Sequence, residues 1–356
     1  MCNKAVQPSF KRTIPVDLAV GMTLAHDMTE IIPGKSKGPV FKKGHRVTSE
    51  DVCHLMRMGK NNLYVLDLKE NHVHEDDAVI ELASALAGPG VVFSGNPKEG
   101  KLELKAAFPG LLKVKVEALI AFNMVEDVMC ASAHNNTSVH ENQALAATRA
   151  IPLVIEKTEL EKAVKIAEEN HPIFSVQPFS PLKVRLIITG DEVFNGLVQD
   201  RFRVIVEKKV AALGASLEEV VILPDNREMI SRQIRDYLEK QTDLIITTGG
   251  MSVDPDDVTK AGIEAAGFDQ VHYSAAVLPG AMFLLGYHRA SGHGTAIMGL
   301  PACGLYHETT IFDLMLPRIM AGERPGKRDL AKLCHGGLCQ NCTPCRFPTC
   351  PFGKSG

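Results

Sequence analysis

An alternation of short apolar runs with helical stripes after residue 181 constrains the fold of this 356-residue chain more than any other feature. The apolar runs predict buried strands at 184–188, 220–223 and 244–247, and the stripes between them predict helices at 202–213 and 230–238. Because crossovers between parallel strands are right-handed, this β-α-β-α-β order predicts a parallel sheet covered by helices on both faces.

Residues that suit anion binding follow each of the three predicted strands. They are Thr189, Gly190, Asp191 and Glu192 after the first strand, Asp225 after the second, and Thr248, Gly249, Gly250, Ser252, Asp256 and Asp257 after the third. In an open parallel sheet the ligand lies beyond the carboxyl ends of the strands, so these residues are expected to converge. The glycine pair lets backbone amides approach a phosphate, and the carboxylates beside it indicate a bridging cation such as Mg²⁺. The alternative for Asp256 or Asp257 is to cap a helix predicted at 258–266.

At these residues the sequence resembles a known family. The matching segments, in order, are Thr189-Gly190-Asp191-Glu192, Gly196, Asp225, Thr248 to Val253 with Asp257, Pro279-Gly280, and Gly299-Leu300-Pro301. They follow the molybdopterin-binding domain that molybdopterin adenylyltransferases and molybdopterin molybdenumtransferases share, and the resemblance covers residues 181–322. It implies an α/β three-layer sandwich with a doubly wound parallel sheet, and a homo-oligomer, since members of the family commonly work as dimers or trimers.

The resemblance also implies a role for each matching residue. The molybdopterin-binding residues would be Thr189, Gly190, Asp225, Thr248, Gly249, Gly250, Ser252, Asp256, Pro279, Gly280 and Pro301, of which Thr248, Gly249, Gly250 and Ser252 would hold the terminal phosphate. Asp191, Glu192 and Asp257 would be the catalytic residues, close to the dithiolene. The reaction would be Mg²⁺-dependent insertion of molybdate with hydrolysis of adenylylated molybdopterin, and a recipient molybdoenzyme would be a partner.

Departures from the pattern keep two alternatives open. The transferases have a lysine after the Pro-Gly pair, where this chain has Ala281, and a Gly-Asn-Pro after the Gly-Leu-Pro, where it has Ala302-Cys303-Gly304. The absence of this lysine favours the first alternative, a carrier that binds finished molybdenum cofactor without catalysing a reaction. The stretches 191–196 and 254–259 also resemble the competence-damage-inducible proteins, which gives a nucleotide pyrophosphatase as the second alternative.

Two smaller units are expected before the α/β domain. Residues 1–70 indicate a mixed unit with a helix at 48–58 and a strand at 63–68, and part of it weakly resembles another region of the molybdenumtransferases. Residues 71–180 indicate a β-rich region. The fold prediction is therefore the α/β sandwich at 181–322, a smaller mixed β-rich N-terminal region, and a metal-binding tail at 323–356.

Within the β-rich region, polar and apolar residues alternate at 101–105 and 112–116, which predicts half-buried antiparallel strands. One helix is expected at 159–169. The run of histidines and carboxylates at 72–77 is interpreted as a solvated linker in preference to a metal site, and the polar stretch 134–138 as a turn.

The tail carries five of the nine cysteines, and this clustering predicts a metal centre in a reducing compartment. Cys339, Cys342, Cys345 and Cys350 are spaced as C-x2-C-x2-C-x4-C-P. This pattern differs by one residue from that of ferredoxin-type [4Fe-4S] clusters, and four thiolates also suit Zn²⁺. The alternative is a tail of redox-active thiols. For Cys303, buried packing is favoured over contact with a guest in the pterin pocket.

Charge and hydropathy exclude several classes of protein. The net charge of −3 and the pI near 6.5 do not provide the positive surface that nucleic acids or anionic membranes require. No apolar stretch reaches the roughly 18 residues that a membrane span needs. The N-terminus lacks a secretory pattern, so a cytoplasmic protein is expected.

Overall fold

The computed structural model describes residues 11–32, 36–66, 71–98, 100–251, 258–268, 270–288 and 294–354. The predicted site residues Ser252, Asp256 and Asp257 lie outside these ranges. None of the described helices is long and apolar enough to cross a lipid bilayer.

The N-terminal unit is a small mixed structure around one helix. Its elements are β1 (Lys11–Pro15), β2 (Met28–Ile32), β3 (Ser36–Phe41), α1 (Ser49–Arg57) and β4 (Asn62–Leu66). β1 pairs with β4 and β2 with β3, all antiparallel. The predicted helix is confirmed. Thr48 caps its start, because the Thr48 side chain accepts the Asp51 amide and the Asp51 carboxylate accepts the Thr48 amide. The predicted strand is confirmed as far as Leu66.

The middle unit packs three helices against short antiparallel sheets. Its elements are β5 (His72–His74), α2 (Glu75–Leu86), β6 (Val91–Val92), β7 (Lys101–Ala106), β8 (Gly110–Val114), α3 (Val116–Asn123), β9 (Val128–Ser132), β10 (Ser138–Val139), β11 (Ala144–Ala150), β12 (Val154–Glu156), α4 (Lys157–Glu169) and β13 (Phe174–Pro178). The strand orders are β6-β7-β11-β9, β10-β8-β13 and β12-β5. The predicted helix α4 is confirmed, whereas α2 and α3 were not expected.

Two details of this unit correct the sequence interpretation. The alternation predicted at 112–116 ends early, because β8 stops at Val114 and Val116 already begins α3. The run 72–77 is not a solvated linker. It forms β5 and the first turn of α2, and His74 is buried at 3% exposure.

His74 fixes the contact between the N-terminal and middle units. Its Nδ1 accepts the backbone amide of Asp76 at 3.1 Å and lies against the Lys43 ammonium, while Nε2 lies 3.1 Å from the carbonyl oxygen of Ala25. A neutral imidazole with its proton on Nε2 makes both backbone bonds. Burial lowers the pKa of His74, and Lys43 lowers it further.

We expect the free energy of unfolding to decrease as the pH falls through 6.5, the ordinary pKa of a histidine in an unfolded chain. Near this pH the histidine of the unfolded chain binds a proton, whereas the buried His74 of the folded chain binds one only at a lower pH. The slope of the free energy of unfolding against pH therefore reaches at most about 1.4 kcal/mol per pH unit. Urea denaturation at several pH values measures this dependence. The His74→Gln variant should lose that part of the slope, and an unchanged slope would assign it to other groups.

The α/β unit contains the sheet that the sequence predicts. Its elements are β14 (Lys183–Thr189), α5 (Asp191–Phe194), α6 (Phe202–Ala211), β15 (Ser216–Leu223), α7 (Arg227–Glu239), β16 (Leu244–Thr248), α8 (Thr259–Ala265), β17 (Gln270–Tyr273), β18 (Leu284–Tyr287), β19 (Ala296–Leu300) and α9 (Ile311–Met320). In the described residues, six strands form one sheet in the order β15-β14-β16-β19-β18-β17. The first four strands in this order are parallel, and β18 and β17 extend the sheet antiparallel at one edge.

Alternate residues of the strands enter two separate cores, which gives three layers. Leu186 and Ile246 pack with α6 and α9 on one face, whereas Ile187 and Ile245 pack with α7 and α8 on the other. The three-layer sandwich is therefore confirmed. Both faces are apolar because helices cover both.

The tail folds back onto the α/β unit. After α10 (Lys327–Lys332), residues 337–339 run beside Leu278, whose amide donates to the Gly337 carbonyl and whose carbonyl accepts the Cys339 amide, both at 2.8 Å. Phe352 enters the same core as α9 and is 2% exposed. The tail is thus packed structure, held at both ends.

Candidate functional site

Two glycines with left-handed backbone form the turn that leaves β16. Gly249 has φ +85° and Gly250 φ +52°, a region that disfavours any side chain. A Cβ on Gly249 would overlap the carbonyl oxygen of Thr189, and one on Gly250 would overlap the Thr259 hydroxyl. The turn therefore lies directly against the end of β14, a packing reason for the glycines that the sequence prediction of a phosphate contact did not include.

Buried hydroxyls underlie this turn. Thr189 Oγ1 donates to the Thr248 carbonyl at 3.2 Å and lies 3.0 Å from Thr259 Oγ1. The hydroxyls of Thr247 and Thr248 are fully buried and have no hydrogen-bond partner among the described residues. A buried hydroxyl without a partner carries a free-energy cost.

The carboxylates of two predicted site residues, Asp191 and Asp225, meet at the ends of β14 and β15. The Asp191 amide donates to Asp225 Oδ2 at 3.2 Å, and the Asp225 amide donates to Asp191 Oδ1 at 3.1 Å. This reciprocal pairing holds two acidic side chains side by side at the carboxyl edge of the sheet. The predicted convergence of Asp191 and Asp225 is thus observed.

A cavity of about 890 Å³ opens at the same edge. The predicted site residues that line it are Thr189, Glu192, Gly249, Gly250, Pro279, Gly280 and Pro301. Gly190, Asp191, Asp225 and Thr248 adjoin these residues in the chain or by hydrogen bonds but do not line the cavity. Gly280 has φ +126°, and a Cβ there would overlap the Ile311 side chain, so the Pro279–Gly280 turn packs tightly against α9.

Sequence reasoning missed several residues of the cavity wall. These are Val198, Gln199, Asp200, Arg201, Phe202, Leu305, Tyr306, His307, Leu338 and Asn341. Arg201 matters most, because it brings a cation to a cavity with an acidic edge. The signal available was Asp200, whose carboxylate accepts the amides of Phe202 and Arg203 at 2.8 and 3.1 Å and so begins α6. Cys303 also lines the cavity, and burial raises the pKa of its thiol.

The tail contributes to the cavity through Leu338, Cys339 and Asn341. Among its cysteines, Cys339 Sγ accepts the Asn341 amide and Cys345 Sγ lies 3.4 Å from the Thr309 hydroxyl, while Cys339 and Cys350 pack against the core that contains α9. Within the described residues, no three His, Cys, Asp or Glu side chains converge in an arrangement that could hold a metal ion. This arrangement does not fit a four-thiolate [4Fe-4S] or Zn²⁺ site, and the predicted tail metal is not supported by it.

Comparison with known proteins identifies the α/β unit. Residues 185–321 match the family model described as a probable molybdopterin binding domain. This segment is a molybdopterin-binding-type domain. The resemblance that the sequence motifs indicate is therefore confirmed for the domain. Residues 13–67 match a separate family model described as a domain of unknown function.

Two relatives of known name align with less than half of this chain. A molybdopterin molybdenumtransferase of Haemophilus influenzae is 30% identical over 166 residues, which are 44% of this chain and 39% of that protein. A CinA-like protein of Thermosipho melanesiensis is 35% identical over 78 residues, or 22% of this chain and 19% of that protein. The chain thus spans less than two-fifths of the length of either relative. The solved structure of a molybdopterin biosynthesis enzyme from Thermus thermophilus is 20% identical, with a TM-score of 0.33, 40% of this chain covered and 98% of that one.

Proposed function

We propose that the cavity binds the phosphorylated pterin of the molybdenum cofactor and that the protein acts in the biosynthesis of this cofactor. The observation that carries the proposal is the cavity at the carboxyl edge of a molybdopterin-binding-type domain, where the left-handed turn Gly249–Gly250 forms part of the wall. A turn without side chains lets a phosphate reach the main-chain amides.

Among the described residues, one cation is available to an anionic guest in this cavity, whose wall also carries the carboxylates of Glu192 and Asp200. Arg201 lines the wall and can pair with a phosphate, a role that a lysine after the Pro-Gly pair would otherwise fill. Ala281 occupies that lysine position and also lines the cavity. We infer that Arg201 replaces the missing cation from a different loop.

Mg²⁺ fits the oxygen donors at the acidic edge. Proteins commonly hold Mg²⁺ with one or two carboxylates together with substrate phosphates and water, so a cage of three or more protein ligands is not required. Asp191 and Asp225 stand side by side, and Glu192 lines the cavity. Asp191 and Asp225 would hold the ion together with water and the guest phosphates, whose charge the ion would neutralise.

The finer proposal is insertion of molybdate into the dithiolene, with hydrolysis of adenylylated molybdopterin to release AMP. In that reaction the carboxyl edge would orient the attacking oxygen, and the glycine turn would keep the terminal phosphate fixed. Asp256 and Asp257 belong to the proposal through their sequence positions alone.

Incubation of the purified protein with adenylylated molybdopterin, molybdate and Mg²⁺ tests the proposal. Release of AMP together with active cofactor supports the transferase. Tight binding of finished cofactor without AMP release would replace it by a carrier. Release of mononucleotides from dinucleotide sugars would replace it by a pyrophosphatase, the activity suggested by the resemblance to the competence-damage-inducible proteins.

We expect Asp191→Asn to reduce AMP release at least about tenfold, with little change in pterin affinity. The asparagine side chain keeps an acceptor oxygen for the Asp225 amide, so the variant removes the charge and retains the fold. Titration with Mg²⁺ should show a raised requirement for the ion. Asp236→Asn, at a half-buried carboxylate of α7 that pairs with Lys240 away from the cavity wall, is the matched control and should retain the activity of the unmodified protein. Equal activity of both variants would remove Asp191 from the proposal.

A further inference from the structure

Helix α3 has apolar residues on two sides, of which one is buried. Ala118 and Phe122 lie in the core of the middle unit. Val116, Ile120 and Met124 are spaced four residues apart and are 43%, 52% and 78% exposed. α3 also carries the exposed Glu117 and Asn123, so this apolar surface is a stripe and not a whole face. Adjoining exposed apolar side chains on a helix indicate a contact with a partner. We call Val116, Ile120 and Met124 the α3 stripe.

The stripe has the dimensions of a helix contact. Eight residues separate its ends, which corresponds to about 12 Å along the helix axis, or two turns. Side chains four residues apart form a ridge that fits the groove of a second helix. Ala121, beside Ile120, is exposed and small, and permits close approach. The stripe therefore suits a helix better than an extended peptide.

Carboxylates surround the C-terminal end of the stripe. Glu126 and Asp127 lie three and four residues beyond the end of α3, near the negative end of the helix dipole, and α3 has no basic residue in its last turn. Burial raises the pKa of Asp127, and the nearby carboxylates of Glu126, Glu159 and Glu156 raise it further.

One described ammonium lies within this group, since Lys162 bonds Glu159 at 2.5 Å. Four carboxylates facing a single ammonium leave the end of the stripe negatively charged. Ile151, 59% exposed, extends the apolar surface here, because its amide donates to the Asp127 carbonyl at 2.9 Å.

We propose that the α3 stripe docks an amphipathic helix of another protein, with leucine-type residues against Val116, Ile120 and Met124 and lysine or arginine over Glu126 and Asp127. Apolar contact would supply most of the affinity, and the carboxylates would fix the direction of the bound helix. The proposal does not depend on the function of the pterin cavity. It gives the middle unit the role of a partner-binding module.

The test uses the full chain and two synthetic peptides of about five helical turns. One has leucine at positions i, i+3, i+4 and i+7 with lysine elsewhere, and the other has glutamate in place of lysine. Fluorescence anisotropy of the labelled peptides measures binding. We expect saturable binding of the basic peptide alone, weakened by salt because ions screen the charges.

Two variants locate the binding. The double variant Ile120→Ser, Met124→Ser and the charge variant Glu126→Lys, Asp127→Asn, in which asparagine tolerates the left-handed backbone of residue 127, should each weaken binding about tenfold or more. All four side chains are exposed, so thermal melting should show retained folding. The control Met56→Ser, Val204→Ser removes exposed apolar side chains from the other two units and should leave binding unchanged.

Several results would overturn the proposal. They are absence of binding by the basic peptide, equal binding of both peptides, and unchanged binding by the stripe variants. Sedimentation of the chain alone distinguishes another occupant. If the unmodified chain dimerises and the serine variant is monomeric, a second copy covers the stripe and the partner helix is excluded.

Discussion

Substitution of Gly249 by alanine is expected to abolish binding of the phosphorylated pterin and to lower the free energy of unfolding by about 3 kcal/mol. At φ +85° the alanine backbone is strained, and its Cβ would overlap the Thr189 carbonyl oxygen and lie 2.8 Å from Thr189 Oγ1. Neither atom can move without disturbing the end of β14. Guanidinium denaturation measures the stability, and titration of a fluorescent oxidised form of the pterin measures the affinity.

Gly214 provides a matched control, because its φ is +83° and a Cβ there would meet no atom within 4 Å. Gly214→Ala is expected to cost about 1 kcal/mol, the strain of the backbone alone, and to leave pterin binding unchanged. The difference between the two variants isolates the contact with β14. Equal losses of stability, or unchanged pterin binding by Gly249→Ala, would show that this close approach does not matter for the site.

The alternation of strands and helices from residue 183 could be predicted because each central strand is buried on both faces. A doubly buried strand has to be apolar at nearly every position, and turn residues end it abruptly. Arg185 interrupts the first run without invalidating the prediction, since its guanidinium pairs with Glu218 at 2.5 Å and with Glu219 at 3.6 Å. The strands β17, β18 and β19 were not predicted, because polar residues interrupt β17 and a glycine interrupts each of β18 and β19.

Contacts between units explain what the sequence could not reveal. His74 belongs to a run that reads as a solvated linker, yet Lys43 and Ala25 of another unit cover it. No local pattern encodes a neighbour that lies 31 or 49 residues away. The acidic edge was easier to predict from the sequence, because Asp191 and Asp225 each follow a strand, and parallel strands end at a common edge.

The structure of the tail was also difficult to predict from its own sequence. Cysteine spacing is a local pattern, and it predicts a metal shell. The pairing of residues 337–339 with Leu278 and the burial of Phe352 depend on the surface of the α/β unit, which the tail sequence does not contain. In the described residues the tail forms part of the cavity wall. A less stable tail should therefore weaken ligand binding.

We expect Phe352→Ala to lower the free energy of unfolding by about 3 kcal/mol and to weaken pterin binding. Phe352 is 2% exposed in the core beneath α9, and the Gly353 amide next to it donates to the Gly336 carbonyl at 3.0 Å. Loss of the ring removes the anchor of the segment that carries Leu338 and Cys339 into the cavity. Chemical denaturation and titration with the fluorescent pterin measure the two effects.

Phe122→Ala separates the role of the tail from general instability. Phe122 is fully buried in the middle unit, so the same substitution should cost a similar free energy there without reaching the cavity wall. Pterin binding, measured well below both melting temperatures, should weaken for Phe352→Ala alone, because only that variant frees residues 337–339 from Leu278. Equal affinities of the two variants would mean that the tail covers the α/β unit without shaping its ligand site.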